Sequence, residues 1–174
     1  MLKRVSMIIR IALPLFVSAV FLDSLRFKFT NAPETQEIFG RLDGWASSLG
    51  APGLFAHTGL FSQYVIGTAE LFASALILAG LFPALRRLQA LGSLIGVAVM
   101  TGAISFHLFT PLGIDPNNDG GGLFYAAIGV WISCIALLVL NRSSLLGLGS
   151  GLLSAFNENA AGGSAGNGGA AAKR

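Results

Sequence analysis

Charge is scarce in this chain of 174 residues. Asp, Glu, Lys and Arg together make 11%, where a soluble domain carries about 25%. Cysteine is scarcer still. Cys134 stands alone, which excludes an intramolecular disulfide and any CxxC redox pair. That argues against a membrane thiol oxidase of the quinone-linked, disulfide-forming kind. Lying in the middle of an apolar run, Cys134 reads as a small apolar filler. There are two histidines, His57 and His107. No second histidine or acid stands at ligand spacing beside His57, so it reads as a solvated loop residue and no metal site is expected. A flavin fingerprint, a haem histidine pair and an iron–sulfur cysteine set are all missing. No basic patch interleaved with aromatics points to nucleic acid.

Apolar residues are abundant, at 53%, with a mean hydropathy of +0.72. Four runs are long enough to cross a bilayer, which takes roughly 20 residues of apolar helix. They cover 8–25, 62–82, 88–109 and 121–140. The fold class is therefore all-α: a four-transmembrane-helix bundle within 1–145, with no large soluble domain. Eight of the 11 Lys and Arg (Lys3, Arg4, Arg10, Arg86, Arg87, Arg142, Lys173, Arg174) fall on one side of that arrangement. The positive-inside rule puts that side, and both termini, in the cytoplasm of a bacterial-type inner membrane.

In chain order, a basic start leads into the first run. Such a start can also be a cleavable signal, with Val17-Ser18-Ala19 as the small-residue site. An uncleaved span fits the length of the run and the charge balance better. Pro14 predicts a kink within it. Asp23 and Arg26 lie three apart at its outer end, as an interface anchor pair or as part of a site. Arg26-Phe27-Lys28-Phe29 then reads as leaving the membrane, its aromatics at headgroup depth. Pro33 with early acids opens a helix over 33–49. Ile38, Phe39, Leu42, Trp45 and Leu49 give it one apolar side, so it is expected to lie amphipathically on the outer surface, lidding the bundle.

The run at 62–82 organises the rest. Glu70 sits inside it, about 12 Å from its outer end. A carboxylate there is costly unless paired, protonated or facing a polar cavity. Gln63, Gly67, Glu70 and Ser74 share one helical face, which must turn from lipid. Glu70 is either a structural tie or a proton or substrate handle. In the third run Gly92, Gly96 and Ala103 form a small-residue face for close packing, and His107 shares it. His107 either meets its helix's end carbonyls or faces a ligand. The loop 115–120 matches the first half of a calcium loop, then fails where the bidentate acid belongs, at Ala126. Asp119 or Asn118 is expected to cap the fourth run, beside glycines whose N–H groups are open to a carbonyl or anion. Gly122, Ala126, Gly129 and Ser133 make a second packing stripe there. Residues 157–174 are too Gly- and Ala-rich to bury a core and are expected to be a disordered tail.

These positions place Asp23, Arg26, Glu70 and His107 toward one outer-leaflet pocket, above an apolar inner half. Such a pocket suits a quinone, its tail among the spans and its carbonyl near His107 or Arg26, with Glu70 exchanging the proton.

From about 21 to 129 the chain resembles the DoxX family of four-span membrane proteins. The resemblance rests on Phe27-Lys28-Phe29-Thr30, Ala32-Pro33-Glu34, Glu70, Gly102-Ala103, His107-Leu108, Leu112-Gly113 and Gly120-Gly121-Gly122 before Leu123-Phe124. It implies a helical bundle tied to quinone-linked redox chemistry, since the family is named for a subunit of a thiosulfate:quinone oxidoreductase or terminal oxidase complex. It also marks Lys28, Glu70 and His107 as the matching polar positions. The expectation is a quinone-interacting subunit or accessory of a larger membrane redox complex, with quinone as substrate or bound ligand. The alternatives are a non-enzymatic structural or assembly subunit, in which self-association is plausible, and, least favoured, a small-solute transporter.

Overall fold

The computed structural model describes residues 2–143. The expected tail at 157–174 lies outside the described residues. Among these, all regular structure is helical: α1 Leu2–Phe29, α2 Pro33–Ser48, α3 Gln63–Ala79, α4 Arg86–Phe109 and α5 Gly122–Leu140, with a short 3-10 turn, Pro83–Leu85, before α4. Three segments are long and apolar enough to cross a membrane: Ile8–Phe29, Pro83–Phe109 and Gly122–Leu140. Helix α3 is apolar but shorter, at 17 residues.

The helix limits have local causes. Helix α1 runs unbroken through Pro14 and on past residue 25, the expected end. Arg26, Phe27, Lys28 and Phe29 are therefore helical. What stops the helix is Asn31, whose φ of 52° is left-handed. Ala32 N–H then bonds Phe27 O, and Asn31 N–H bonds Lys28 O, a Schellman ending. Pro33 opens the next helix at a position that needs no N–H. Helix α3 ends at Ala79 instead of running to 82. A Cβ on Gly80 would lie 2.1 Å from Gln89 Cβ, so glycine alone lets α4 pass that close.

Helix α1 touches α3 and α5, and α4 touches the same two, so the four close into a ring. Their shared core holds Val17 and Phe21 of α1, Ala73 and Ile77 of α3, Met100 of α4, and Val130, Cys134 and Leu137 of α5. Cys134 is fully buried there, as an apolar filler should be. The glycine face of α4 is also as expected: Gly92, Gly96 and His107 are buried. On α5 the expected stripe is displaced. Its buried face is Phe124, Ala127, Val130, Ser133, Cys134 and Leu137, while Gly122 is exposed. Of the α4 glycines, Gly96 meets α5, where a Cβ would lie 2.7 Å from Cys134 Sγ, while Gly92 meets α3. The outside of the ring is apolar, with Leu15, Leu22, Phe72, Leu94, Ile132 and Val139 all exposed.

Helix α2 does lid one end. Leu42 and Ala46 pack with Phe55 and Leu112 in a second core, joined by Trp45 and by Phe106 of α4. Asp43 Oδ1 accepts a hydrogen bond from Phe55 N–H at 3.0 Å and holds the 50–61 connection beneath it.

Candidate functional site

The face of α3 that carries Gln63, Gly67, Glu70 and Ser74 is buried along its length. It faces the last turn of α1. There Lys28 Nζ stands 3.1 Å from Oε1 and 3.0 Å from Oε2 of Glu70. The same ammonium hydrogen-bonds Ser24 Oγ, one turn back on α1. Glu70 is 2% exposed. The Lys28 side chain keeps 14% exposure, so the pair touches the exterior only through its cation.

Three neighbours set this geometry. Gly67 lies one turn before Glu70, and a Cβ there would already contact Lys28 Cδ at 3.4 Å. A larger side chain would push the lysine away. Gln63 Nε2 donates to Lys28 O at 2.8 Å and to Asn31 Oδ1 at 3.0 Å, fastening the end of α1 to the start of α3. Phe29 stacks on Tyr64, with ring planes 11° apart, and closes the outer flank of the same seam. Ion pairs this buried hold only when the remaining lone pairs and protons are also matched. Here Ser24 supplies that match.

Asp23 and Arg26 are not brought to Glu70. They pair with each other at 2.9 Å on the exposed face of α1, and the Arg26 guanidinium lies over the Phe27 ring. Helical period decides this: Val17, Phe21, Leu25 and Lys28 continue the buried face, and positions 23 and 26 fall off it. The same spacing is legible in the sequence and would have singled out Lys28 over Arg26 as the partner of Glu70.

His107 is buried at 8% exposure, near the lidded end. Its Nδ1 lies 2.6 Å from Gly113 O, and its ring meets Phe124 edge-on. A carbonyl oxygen only accepts, so Nδ1 carries the hydrogen, and in the neutral ring Nε2 is then an acceptor. Among the described residues no hydrogen bond joins His107 to the Lys28–Glu70 pair. Two of the glycine N–H groups at the start of α5 are not open either. Asp119 Oδ1 accepts from Gly121 and Gly122 at 3.0 and 2.9 Å, while the N-cap position itself falls at Gly121 and not at the expected Asp119 or Asn118.

The half away from the lid, expected to be almost wholly apolar, holds a buried polar link. At the end opposite the lid, Asn141 Nδ2 donates to Gln89 Oε1 at 2.8 Å, and Gln89 Nε2 donates to Ile77 O at 3.3 Å. This buried link joins α3, α4 and the end of α5. Its sequence signal is Gln89 itself, set on the Gly92–Gly96 face. Two hollows are present away from Glu70. One, of about 170 Å³, lies beside Gln89, between Arg10 and Arg86. The other, of about 240 Å³, is apolar and open, beside Trp131.

No group of three or more His, Cys, Asp or Glu among the described residues is placed to hold a metal ion. No family model, curated protein or solved structure matches this chain.

Proposed function

We propose that this chain is a four-span membrane protein of the DoxX kind, acting as the quinone-interacting accessory of a membrane redox complex. The observation that carries the reading is the Lys28–Glu70 pair, set within an apolar bundle. A bundle that needs only stability is served as well by apolar residues, because two buried charges lose more hydration than their attraction returns. Ionisable groups kept within spans mark proton and substrate paths far more often.

Helix α3 supplies the fourth span. Its 17 residues reach about 25 Å, at the short limit for crossing. Its outward Val65, Leu71 and Phe72 are exposed and apolar, as a lipid-facing side requires. With both termini cytoplasmic, the pair lies in the outer half beneath α2. Quinone reduction takes two electrons and two protons. A partner subunit supplies the electrons. Lys28 turns one of its N–H groups from Glu70 to the quinone carbonyl through its exposed edge, Glu70 relays one proton to that oxygen, and the second proton reaches the far oxygen from bulk water. The Nδ1–H of His107 is held by Gly113 O, which leaves Nε2 to accept from a quinol hydroxyl. Arg26 has no part in this set.

A second reading has its own observation. Lys28 already serves Ser24 and both oxygens of Glu70, and neither residue lines the hollow beside Gln89 or the one beside Trp131. That is the pattern of a helix tie in a structural or assembly subunit. Mass spectrometry of the chain purified in mild detergent separates the two. Stoichiometric quinone that is lost in Glu70→Gln and in Lys28→Met supports the redox site. A defined partner complex without quinone, whose stability falls in both substitutions, supports the tie.

A further inference from the structure

The Arg10–Arg86 hollow plays no part in the proposed quinone chemistry, and its lining has a distinct character. Arg10 and Ile11 of α1, Gly80 and Leu81 of the α3–α4 turn, and Arg86 and Gln89 of α4 surround it. Two of these six are cations and none is an acid. The ion pairs among the described residues involve neither arginine. Arg10 Nη2 donates to Leu140 O at 3.3 Å, which fixes the guanidinium at the rim while leaving its other N–H groups for a ligand. Gln89 is committed on both sides, to Ile77 and to Asn141, so it forms a fixed floor. Helix α4 begins at this hollow with no side-chain cap and no acid in its first turn, which adds to the positive field.

The rim carries the second half of the argument. Ile11 is 48% exposed, Leu81 37% and Leu85 41%. Cations and bare apolar surface therefore adjoin at one opening. A soluble anion is complementary to the first feature only, whereas an amphiphile with an anionic head and an acyl tail is complementary to both. Guanidinium groups bind phosphoryl oxygens through paired N–H donors, and two arginines from different helices can grip one phosphate.

We infer that the Arg10–Arg86 hollow binds a phosphoryl group, with the headgroup of an anionic phospholipid as its source. The occupied site would fasten α1 to the α3–α4 turn.

The test is native mass spectrometry of the full chain in neutral detergent, with phosphatidylglycerol or phosphatidylcholine added. Phosphatidylglycerol should be retained preferentially. Its retention should fall about fivefold for each arginine removed, in Arg10→Gln and in Arg86→Gln. Arg87→Gln removes a charge next door, outside the hollow, and should leave retention unchanged. Arg86 is exposed and has no side-chain hydrogen bond among the described residues, so its variant stays informative even where Arg10→Gln disturbs folding. A parallel arm adds inorganic phosphate alone to the delipidated protein and reads the melting temperature. A rise that Arg86→Gln abolishes, without discrimination between the lipids, keeps the phosphoryl site and makes its source a soluble anion. Equal retention of the two lipids with no phosphate effect overturns the inference, as does an equal loss in Arg87→Gln.

Discussion

Lys28 Nζ reaches both carboxylate oxygens of Glu70, at 3.1 and 3.0 Å, across the seam between α1 and α3. One link thus joins the last turn of one helix to the middle of another. It turns the costliest residue of α3 into half of a matched pair.

Removing one partner should cost more than removing both. Lys28→Met leaves Glu70 buried and unpaired, and should destabilise the bundle by about 3 kcal/mol. Lys28→Met combined with Glu70→Leu should recover most of that loss. Unfolding in mild detergent measures each variant. A double variant as unstable as the sum of the two single changes would show that the pair is not coupled.

The approach of α3 to α4 depends on Gly92. A Cβ there would lie 2.7 Å from Ala73 O and 2.8 Å from Leu76 Cβ. Backbone cannot rotate aside, so Gly92→Ala should cost about 1–3 kcal/mol. At Gly102 the nearest atom would be Phe106 Cε2, at 3.9 Å. Gly102→Ala should therefore leave the melting temperature almost unchanged, and an equal drop in both variants would contradict close packing at Gly92.

The buried amide link at the other end should behave as a unit. Asn141→Leu leaves Gln89 Oε1 without its donor, at a cost of about 1–3 kcal/mol. Gln89→Leu in the same chain should offset part of that cost. Thermal unfolding of the two single variants and the double variant reads the coupling directly.

The proposed orientation can be checked by labelling in a Cys134→Ser background. Ser48 and Ala84 are both exposed, at opposite ends of the bundle. A membrane-impermeant maleimide should label Ser48→Cys in intact cells, and Ala84→Cys only after permeabilisation. Labelling of both in intact cells would place them on one side and exclude an odd number of crossings between them.

Much of the fold was legible in the sequence. Three of the apolar runs appear as helices long enough to cross a membrane, and the run at 33–49 appears as α2, ending at Ser48. The buried face of α3 follows from residue spacing alone, because helical period is a local property. That Asp119 serves N–H groups at the start of α5 is also readable, although the N-cap position falls at Gly121. The candidate site was legible only in part. The spacing points Glu70 and His107 inward, as found, whereas an α1 that ends at 25 leaves Arg26 free to reach the pocket. Four further residues of helix, 26–29, put Arg26 outward and Lys28 inward.

The sequence by itself determined that these helices exist, which face of α3 is buried, and that a carboxylate lies within it. Those features depend on composition and on the 3.6-residue period. Only the tertiary structure decided that Lys28 meets Glu70, that Asn141 meets Gln89, and that His107 turns to Gly113. Each of these depends on the rotation and height of one helix against another. Close contacts at glycines such as Gly67, Gly80 and Gly92 set that register, and they involve residues far apart along the chain. A periodic pattern fixes which side of a helix looks inward, but it carries no information about what stands opposite.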